Sequence, residues 1–382
     1  MAVRKLVFAG VGALMLSSLA AAGPMPSALV AGGKPVAQTR ADLDACLARQ
    51  CSTPEDIAAT IALGDALVAA SEWTEAARVL SAGRDRNRKF AASHPVEVAE
   101  MLRAFGHVSW LRGHPGQFRM AALDTVDALK EGLGGDDPRV LMARIEVADM
   151  ISYAGVPYNT AENKYQAAIA DARARGLPRI EGLAMYRRAA MYTWAAVLDR
   201  GSFERRADEG LDALIASKVP EHLPYVRAAK VLKGQLATYF GSDEGSKALI
   251  GALRAQPKVN FELLAYEPVE RTNLMTREGP RASNQTFDLA YFVSPDGRVR
   301  GNVLSLQYER RDIGGWDKAI ATSIRSRRYA PLGLDAADPG VMRIERYTVT
   351  GGGEVPIRVE MRVLTGDGTP IEVPTKIARV NK

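Results

Sequence analysis

From residue 42 to residue 257, apolar residues recur at three- and four-residue steps. An early example carries Ile57, Ile61 and Leu67 on such a stripe, a spacing typical of an amphipathic α-helix. A polar break at Ser71-Glu72 is followed by a second stretch with the same period. The pattern predicts a pair of helices here, separated by the break at Ser71-Glu72.

Further helix pairs follow, and prolines mark where they begin. Proline is favoured in the first turn of a helix and disrupts a helix that precedes it. The first helix of each later pair is predicted to begin near Pro95, Pro138, Pro178 and Pro220. This spacing of about 40 residues indicates a repeat array in which each pair stacks on the next, an α-solenoid. A closed helical bundle is the alternative.

The first pair resembles the tetratricopeptide repeat. Leu63-Gly64 is followed by Leu67, and Ala76 and Leu80 match the family's Ala-x₃-Phe element. Small residues at Gly64 and Ala76 would allow the two helices to approach closely. Thr60 stands where the family has tryptophan. The resemblance implies a scaffold with a surface that binds a peptide.

The pattern changes after residue 257. Between Phe287 and Val293, apolar positions alternate with other residues, as in a half-buried strand. Pro295-Asp296-Gly297 then supplies a turn, because proline presets φ and glycine accepts a positive φ. Residues 298–308 alternate again. The pattern predicts a β-hairpin.

A short helix and two more strands are predicted after the hairpin. Trp316, Ile320 and Ile324 lie four residues apart and would form one apolar stripe. Arg325, Arg327 and Arg328 crowd the predicted C-terminal end, where the helix dipole favours cations. Alternation predicts a third strand around residues 341–350 and a fourth around 354–366. The predicted fold class is therefore α+β with two domains, an N-terminal α-solenoid and a C-terminal ββαβ domain.

The C-terminal residues resemble the C-terminal domain of the TonB family of energy-transducing proteins. The matching motifs are an Asp-Gly-x-Val turn and a basic-aromatic-x-Pro exit from the helix. The motif residues are Asp296, Gly297, Val299, Arg328, Tyr329 and Pro331. The resemblance covers about residues 285–350 and implies a periplasmic ββαβ module whose exposed last strand pairs with a short peptide from an outer-membrane receptor.

On this sequence, the resemblance places the partner-binding strand at residues 343–349. Its members are Arg343, Ile344, Glu345, Arg346, Tyr347, Thr348 and Val349. A strand edge offers unpaired N–H and C=O groups to another chain. The alternative is that these strands only close the domain against the helical region.

The N-terminus has the pattern of a secretory signal. Arg4 and Lys5 precede the apolar run Leu6–Leu19, and small residues follow. We expect a signal peptide at residues 1–22, cleavage before Gly23, a flexible leader at 23–41, a helical domain at 42–257 and the β-containing domain at 258–382. An uncleaved membrane anchor is the alternative. TonB proteins also carry a long Pro-rich spacer, and none is evident in this sequence. Its absence favours a module that binds a partner over one that transmits force to it.

Cysteine usage and charge add two expectations. Cys46 and Cys51 are five residues apart, and export to an oxidising compartment would permit a local disulfide. Two free thiols or a metal site are the alternatives. The formal net charge is +6, with basic and acidic residues interspersed, so nucleic acid is not an expected partner.

Catalytic motifs are scarce in the sequence. The four histidines, His94, His107, His114 and His222, lack HExxH-type spacing, and no Gly-x-Ser-x-Gly elbow occurs. We therefore expect no enzymatic activity, no cofactor and no metal. The sequence predicts a periplasmic interaction protein that binds a peptide or protein in the cell envelope. The alternative is an energy transducer of the TonB type, anchored in the inner membrane.

Overall fold

The computed structural model describes residues 34–70, 72–153, 158–198, 202–265, 285–306, 320–321, 323–325, 327–335, 338–352 and 355–364. Within these residues the N-terminal part is helical. Its helices are α1 (Val36–Ala48), α2 (Thr53–Ala69), α3 (Trp73–Asn87), α4 (Pro95–Leu111), α5 (Pro115–Leu133), α6 (Pro138–Tyr153), α7 (Tyr158–Ala174), α8 (Pro178–Leu198), α9 (Glu204–Ile215), α10 (Leu223–Tyr239) and α11 (Asp243–Arg254). The predicted signal peptide, Gly23 and Trp316 lie outside the described residues.

The helices pack in sequence order. Each helix contacts the next, and first helices of neighbouring pairs also contact one another: α2 with α4, α6 with α8, and α8 with α10. Helices α4, α6 and α8 begin at Pro95, Pro138 and Pro178, as predicted. The fourth proline, Pro220, opens a single 3₁₀ turn that leads directly into α10. The prediction that the N-terminal region is helical is therefore confirmed.

Helix α1 corrects the predicted leader. It begins at Val36, inside the segment that was expected to be flexible, and buries Thr39, Leu43 and Cys46. These three residues lie three or four positions apart, so one face of α1 joins the core formed by α2 to α5. Cys46 and Cys51 form a disulfide with their Cα atoms 5.1 Å apart, across the turn between α1 and α2. The bridge fixes the angle at which the first helix enters the array.

The C-terminal part contains a four-stranded antiparallel sheet in the order β3-β2-β5-β6. Its strands are β2 (Gln285–Val293), β3 (Val299–Ser305), β5 (Val341–Gly352) and β6 (Val355–Val363). Two short strands, β1 (Leu263–Ala265) and β4 (Arg328–Tyr329), form a separate two-stranded pair. We call residues 259–364 the β unit, as far as the structure describes them. A small β domain after the helical region is thus confirmed.

One face of the sheet packs against the predicted short helix. Helical residues at 320–321 and 323–325 are described, and Ile320 and Ile324 are fully buried against this face. Leu289, Tyr291 and Val293 of β2 contribute to the same apolar cluster. Because strand side chains alternate between faces, the intervening residues of β2 point to the opposite side.

The opposite face of the sheet packs on the helical region. Residues of β2 and β5, together with Leu306 just after β3 and Leu364 just after β6, belong to one continuous core with α6 to α11; the β2 and β5 residues are Ala290, Phe292, Met342 and Ile344. The sheet is therefore covered on both faces.

Polar contacts reinforce this interface along its length. The Gln256 side chain, just beyond α11, accepts a hydrogen bond from Met342 N at 2.7 Å and donates to Met342 O at 3.2 Å. Arg227 of α10 donates to Asp338 at 3.2 Å, and Arg179 of α8 lies 2.5 Å from Asp335. At the other end of the array, Asp65 of α2 lies 4.0 Å from the Arg298 guanidinium. The β unit therefore touches both ends of the helical region.

Candidate functional site

Strand β5 contains the residues predicted to offer a free edge, and it lies inside the sheet. From Val341 to Val349 it is paired with β2, and from Glu345 to Gly352 it is paired with β6. The prediction that residues 343–349 form an exposed edge is wrong. The reason is that the chain turns back after Gly352, so β6 covers the edge that β5 would otherwise present.

The remaining backbone groups of β5 are also occupied. Leu364 N donates to Ile344 O at 2.8 Å, which extends the β6 side of the pairing by one residue. Two residues further along β5, the Gln256 amide bonds both the N–H and the C=O of Met342. Gln256, just beyond α11, thus supplies a side chain that completes the edge where β6 ends.

Side chains of β5 divide between the two faces. Arg343, Glu345 and Tyr347 share the face towards the short helix and are buried, whereas Ile344 points into the core shared with the helical region. Arg346 forms a two-bond ion pair with the fully buried Asp288, at 2.8 and 2.9 Å. Thr348 Oγ1 lies 3.2 Å from Thr286 Oγ1 across the strands. Val349 pairs through its backbone with Gln285 and Val359.

The face towards the short helix contains a buried charged cluster centred on Glu345, which has no exposed surface. Arg327 Nη1 donates to both carboxylate oxygens of Glu345, at 2.9 and 2.7 Å, and Arg343 Nε donates to one of them at 2.8 Å. Burial alone would raise the pKa of Glu345, but the two guanidinium groups outweigh it and lower the pKa below its usual value. The carboxylate is therefore ionised and held between two cations.

Three tyrosine hydroxyls complete this cluster. Tyr291 and Tyr347 donate to Glu345 at 2.8 and 2.5 Å, and the Tyr329 hydroxyl lies 2.9 Å from that of Tyr291. Burial, and then the Glu345 charge, raise the pKa of both Tyr291 and Tyr347. Neither tyrosine nor arginine exchanges a proton near neutral pH under these conditions. The arrangement is suited to fixing the position of β5 and not to acid–base chemistry.

Arg327 lies just after the described helical residues 323–325, at the helix end where the sequence placed it. The sequence analysis did not predict its burial with Glu345. A signal was available, because Arg327 follows Ile320 and Ile324 on the same helical stripe. Likewise Arg343, Glu345 and Tyr347 occupy alternate positions of one strand and must share a face.

The two motifs on which the resemblance to the TonB family is based, at residues 296–299 and 328–331, contact each other. Tyr329 N donates to Gly297 O at 2.8 Å, and Leu332 N donates to Pro295 O at 2.9 Å. Gly297 has φ +79°, and a Cβ there would lie 1.9 Å from Tyr329 O. Only glycine fits both this backbone conformation and this contact.

The other motif residues support the same junction. Asp296 accepts hydrogen bonds from the Ser294 hydroxyl and, at 3.3 Å, from Arg298 N, which closes the turn. Val299 is fully buried in the sheet core. Arg328 pairs through its backbone with Ala265, and Pro331 is exposed. The motif residues therefore build the junction between the β2–β3 turn and the segment around β4.

Within the described residues, the sheet ends at β3 on one side and β6 on the other. The register fixes which backbone groups of β6 point outwards. Leu364 N bonds Ile344 O, so residues 358, 360, 362 and 364 face β5 and the alternate residues 357, 359, 361 and 363 direct their N–H and C=O groups away from it, up to the bulge opposite Thr350 and Gly352. The outer edge of β6 is therefore our candidate site.

Other kinds of site are not indicated in the described part of the chain. No three His, Cys, Asp or Glu side chains lie together there as metal ligands would. Among the described helices, none combines the length and the apolar character needed to cross a membrane. No family model matches the chain, and no curated protein matches it either.

Proposed function

We propose that this protein is an exported interaction protein of the cell envelope. Its helical region acts as a scaffold, and its β unit binds a partner polypeptide by strand addition at the outer edge of β6. The observation that carries this proposal is the row of outward-directed backbone groups along residues 357–363. An edge strand gives affinity through the main chain and specificity through alternate side chains.

The way in which the β unit is held supports this role. Its sheet is fixed on one face by the short helix and on the other by α6 to α11, so β6 extends from a rigid platform. A partner strand would find the edge in its binding conformation, and less conformational entropy would be lost on binding. Met361 of β6 has 49 % of its surface exposed, so a side chain of the edge is also available to a partner.

Two resemblances also support the proposal. The close approach of α2 and α3, in which a Cβ on Gly64 would lie 2.9 Å from Leu80 Cγ, is what a tetratricopeptide-like pair requires. The chain order β2, β3, short helix, β5 matches a TonB-like ββαβ module, with β6 as an added strand. In this proposal, β6 takes over the binding edge that the family places on its preceding strand.

Strand addition is tested by removing one outward N–H. Met361→Pro deletes a donor that β5 does not use, and edge strands tolerate proline where the N–H faces solvent. Met361→Ala is the matched control, because it changes the same side chain and keeps the N–H. We expect peptides selected from a random display library on the wild-type chain to bind Met361→Ala and to lose at least tenfold in affinity for Met361→Pro. Equal affinity for both variants would contradict the proposal.

Export is tested separately. Mass spectrometry of the protein purified from the cell envelope is expected to find Gly23 as the first residue. An intact N-terminus, retained with the membrane fraction, would instead support the anchored energy transducer.

A further inference from the structure

One row of side chains crosses the sheet and reaches its outer edge. Phe287 of β2 is paired with Tyr347 of β5, and Tyr347 is paired with Met361 of β6. Directly paired residues of antiparallel strands have their side chains on the same face, so all three lie on the face towards the short helix. We call these three residues the Met361 row. Phe287 and Tyr347 are 5 % and 4 % exposed, whereas Met361 is 49 % exposed.

The inner part of the Met361 row is buried, and its polar group is already bonded. The Phe287 and Tyr347 rings are stacked, with centroids 5.7 Å apart and 20° between their planes. The Tyr347 hydroxyl accepts a hydrogen bond from Arg327 at 2.9 Å and donates one to Glu345 at 2.5 Å. A polar residue placed at the outer end of this row would cover apolar surface without gaining a hydrogen-bond partner from it. An apolar residue would bury its own surface there.

Met361 is in position to contact a strand added at the edge. Its pair with Tyr347 is of the non-hydrogen-bonded kind, because Leu364 N bonds Ile344 O and the two kinds alternate along the strands. The Met361 side chain is therefore close to Tyr347, while the Met361 N–H and C=O point outwards. A strand bound to these groups places one residue beside Met361 on the same face, on the side away from Tyr347.

We infer that the strand bound at β6 carries an aromatic residue beside Met361, and that Met361 selects the partner sequence by this contact. A methionine sulfur makes favourable contacts with aromatic rings, and its unbranched side chain adapts to rings of different size. The incoming ring would extend the Met361 row by one strand, and aromatic side-chain pairs between neighbouring strands stabilise a sheet. The inference rests on the proposed strand addition and names the class of sequence that the edge takes.

The next row along β6 does not offer the same contact. Val363 is paired with Glu345, which is paired with Leu289. The middle of that row is the buried carboxylate bonded by two arginines, and Val363 is branched and partly buried. The aromatic preference should therefore belong to one position of the bound strand. Val363→Thr, an exchange of similar shape, is the matched control for a change at Met361.

Parallel selections test this preference. A random peptide library is displayed and selected on the wild-type chain, on Met361→Thr and on Val363→Thr. Threonine keeps the backbone N–H and favours strands, but it lacks the thioether. We expect Phe, Tyr or Trp to be enriched at one position in the wild-type and Val363→Thr pools and not in the Met361→Thr pool. Equal aromatic enrichment on the wild type and on Met361→Thr would overturn the inference.

Binding affinities measure the size of the contact. One peptide from the wild-type pool is labelled, and its enriched aromatic residue is replaced by alanine. By fluorescence anisotropy, this replacement is expected to raise Kd about fivefold more on the wild-type chain than on Met361→Thr, as for one sulfur–aromatic contact. On Val363→Thr it should have the same effect as on the wild type. An equal rise in Kd on the wild type and on Met361→Thr would contradict a contact between the two side chains.

Strand addition itself is measured separately. Met361→Pro and Met361→Ala both lack the thioether and differ in the backbone N–H, so their comparison isolates the main-chain contribution. Peptides that bind Met361→Ala more tightly than Met361→Pro, but show no coupling to the thioether, would refute the aromatic contact and leave strand addition intact. Peptides that show the coupling and bind both variants equally would refute strand addition and leave the side-chain contact at Met361.

Discussion

The buried hydroxyls of the helical region and the buried Glu345 of the β unit are satisfied in different ways. In the helices, several buried hydroxyls bond the carbonyl four residues earlier in their own helix, at 2.7–3.0 Å; these residues are Ser109, Thr125, Thr193 and Thr238. In the β unit, Glu345 is bonded by Arg327, Arg343 and two tyrosines that come from different elements.

The two kinds of buried polar group therefore depend on different parts of the fold: one on its own helix, the other on residues far apart in the sequence. A hydroxyl that bonds its own helix is satisfied as soon as that helix forms. The Glu345 cluster is satisfied only when β2, β4, β5 and the residue after the short helix are all in place. A partly satisfied buried charge is costly, so the cluster favours one strand register over any other. Substitutions of these helix-bonded hydroxyls should therefore cost less stability than substitutions in the Glu345 cluster. Asp56 and Asp149, which bond residues of the neighbouring helix, are the counterparts of Glu345 within the array.

The largest expected effect is at Arg327. Arg327→Met leaves Glu345 buried with one cation fewer and is expected to cost about 3–5 kcal/mol in the free energy of unfolding. Thr125→Val, the matched change in the array, removes a bond that its helix does not require and should cost less than about 1 kcal/mol. Urea unfolding followed by far-ultraviolet circular dichroism measures both. Comparable losses for the two variants would remove the distinction between the regions.

Within the array, a substitution at a close helix–helix contact should change the stability more than one that alters only helix propensity. Gly234 lies in α10, and a Cβ there would be 2.7 Å from Leu249 Cα, so Gly234→Ala is expected to cost about 1–3 kcal/mol. Gly251 lies in α11 with nothing within 4 Å of its Cβ position. Gly251→Ala should therefore stabilise by up to about 1 kcal/mol. If both substitutions shift the thermal midpoint in the same direction, α10 and α11 do not pack as described.

The junction between the two regions is tested at Gln256. Gln256→Ala leaves Met342 N and O without their side-chain partner and is expected to cost about 1–2 kcal/mol. Gln256→Glu keeps the acceptor for Met342 N and should retain part of the stability. Hydrogen exchange at the Met342 amide provides the readout, with faster exchange expected in the alanine variant. Unchanged protection would mean that β5 is completed in another way.

The smallest expected effect depends on pH. Asp338 bonds Arg227 and Gly340 N, and burial raises its pKa above 3.8, the value for an unperturbed aspartate. The folded state then binds this proton more tightly than the unfolded state does, so its contribution to stability is greatest below pH 3.8 and falls as pH rises through 3.8 towards the folded-state pKa. Asp338→Asn should remove this contribution to the pH dependence of the free energy of unfolding, about 1 kcal/mol or less. Parallel stability curves for the two proteins over pH 3–6 would contradict the assignment.

Local pattern predicted the elements better than their pairing. Prolines and the apolar period located α4, α6 and α8, and alternation with an Asp-Gly turn located β2 and β3. The start of α1 was missed because its polar residues conceal a stripe that includes Thr39 and Cys46. The elements that were located correctly form mainly through interactions between residues close in the sequence.

The candidate site was misplaced for a different reason. Which strands lie side by side depends on contacts between distant residues, and the sequence pattern of β5 is the same whether its edge is free or covered. The glycines at 351–352 were a usable signal, since a short connection between two strands favours a hairpin. That would have placed β6 beside β5 and moved the free edge outwards. Neither Gln256 nor Arg327 belongs to a recognisable motif. Their roles depend on contacts with residues far away in the sequence, which local patterns do not predict.

Residue-resolved hydrogen exchange of β6 tests the central claim most directly. In dilute protein, the amides of Arg362 and Leu364 face β5 and are expected to be protected, while those of Met361 and Val363 face outwards and should exchange rapidly. A display-selected peptide should then slow exchange at Met361 and Val363 and leave Arg362 unchanged. Protection of Met361 and Val363 in the dilute protein alone would show that the edge is already covered, and would contradict the account.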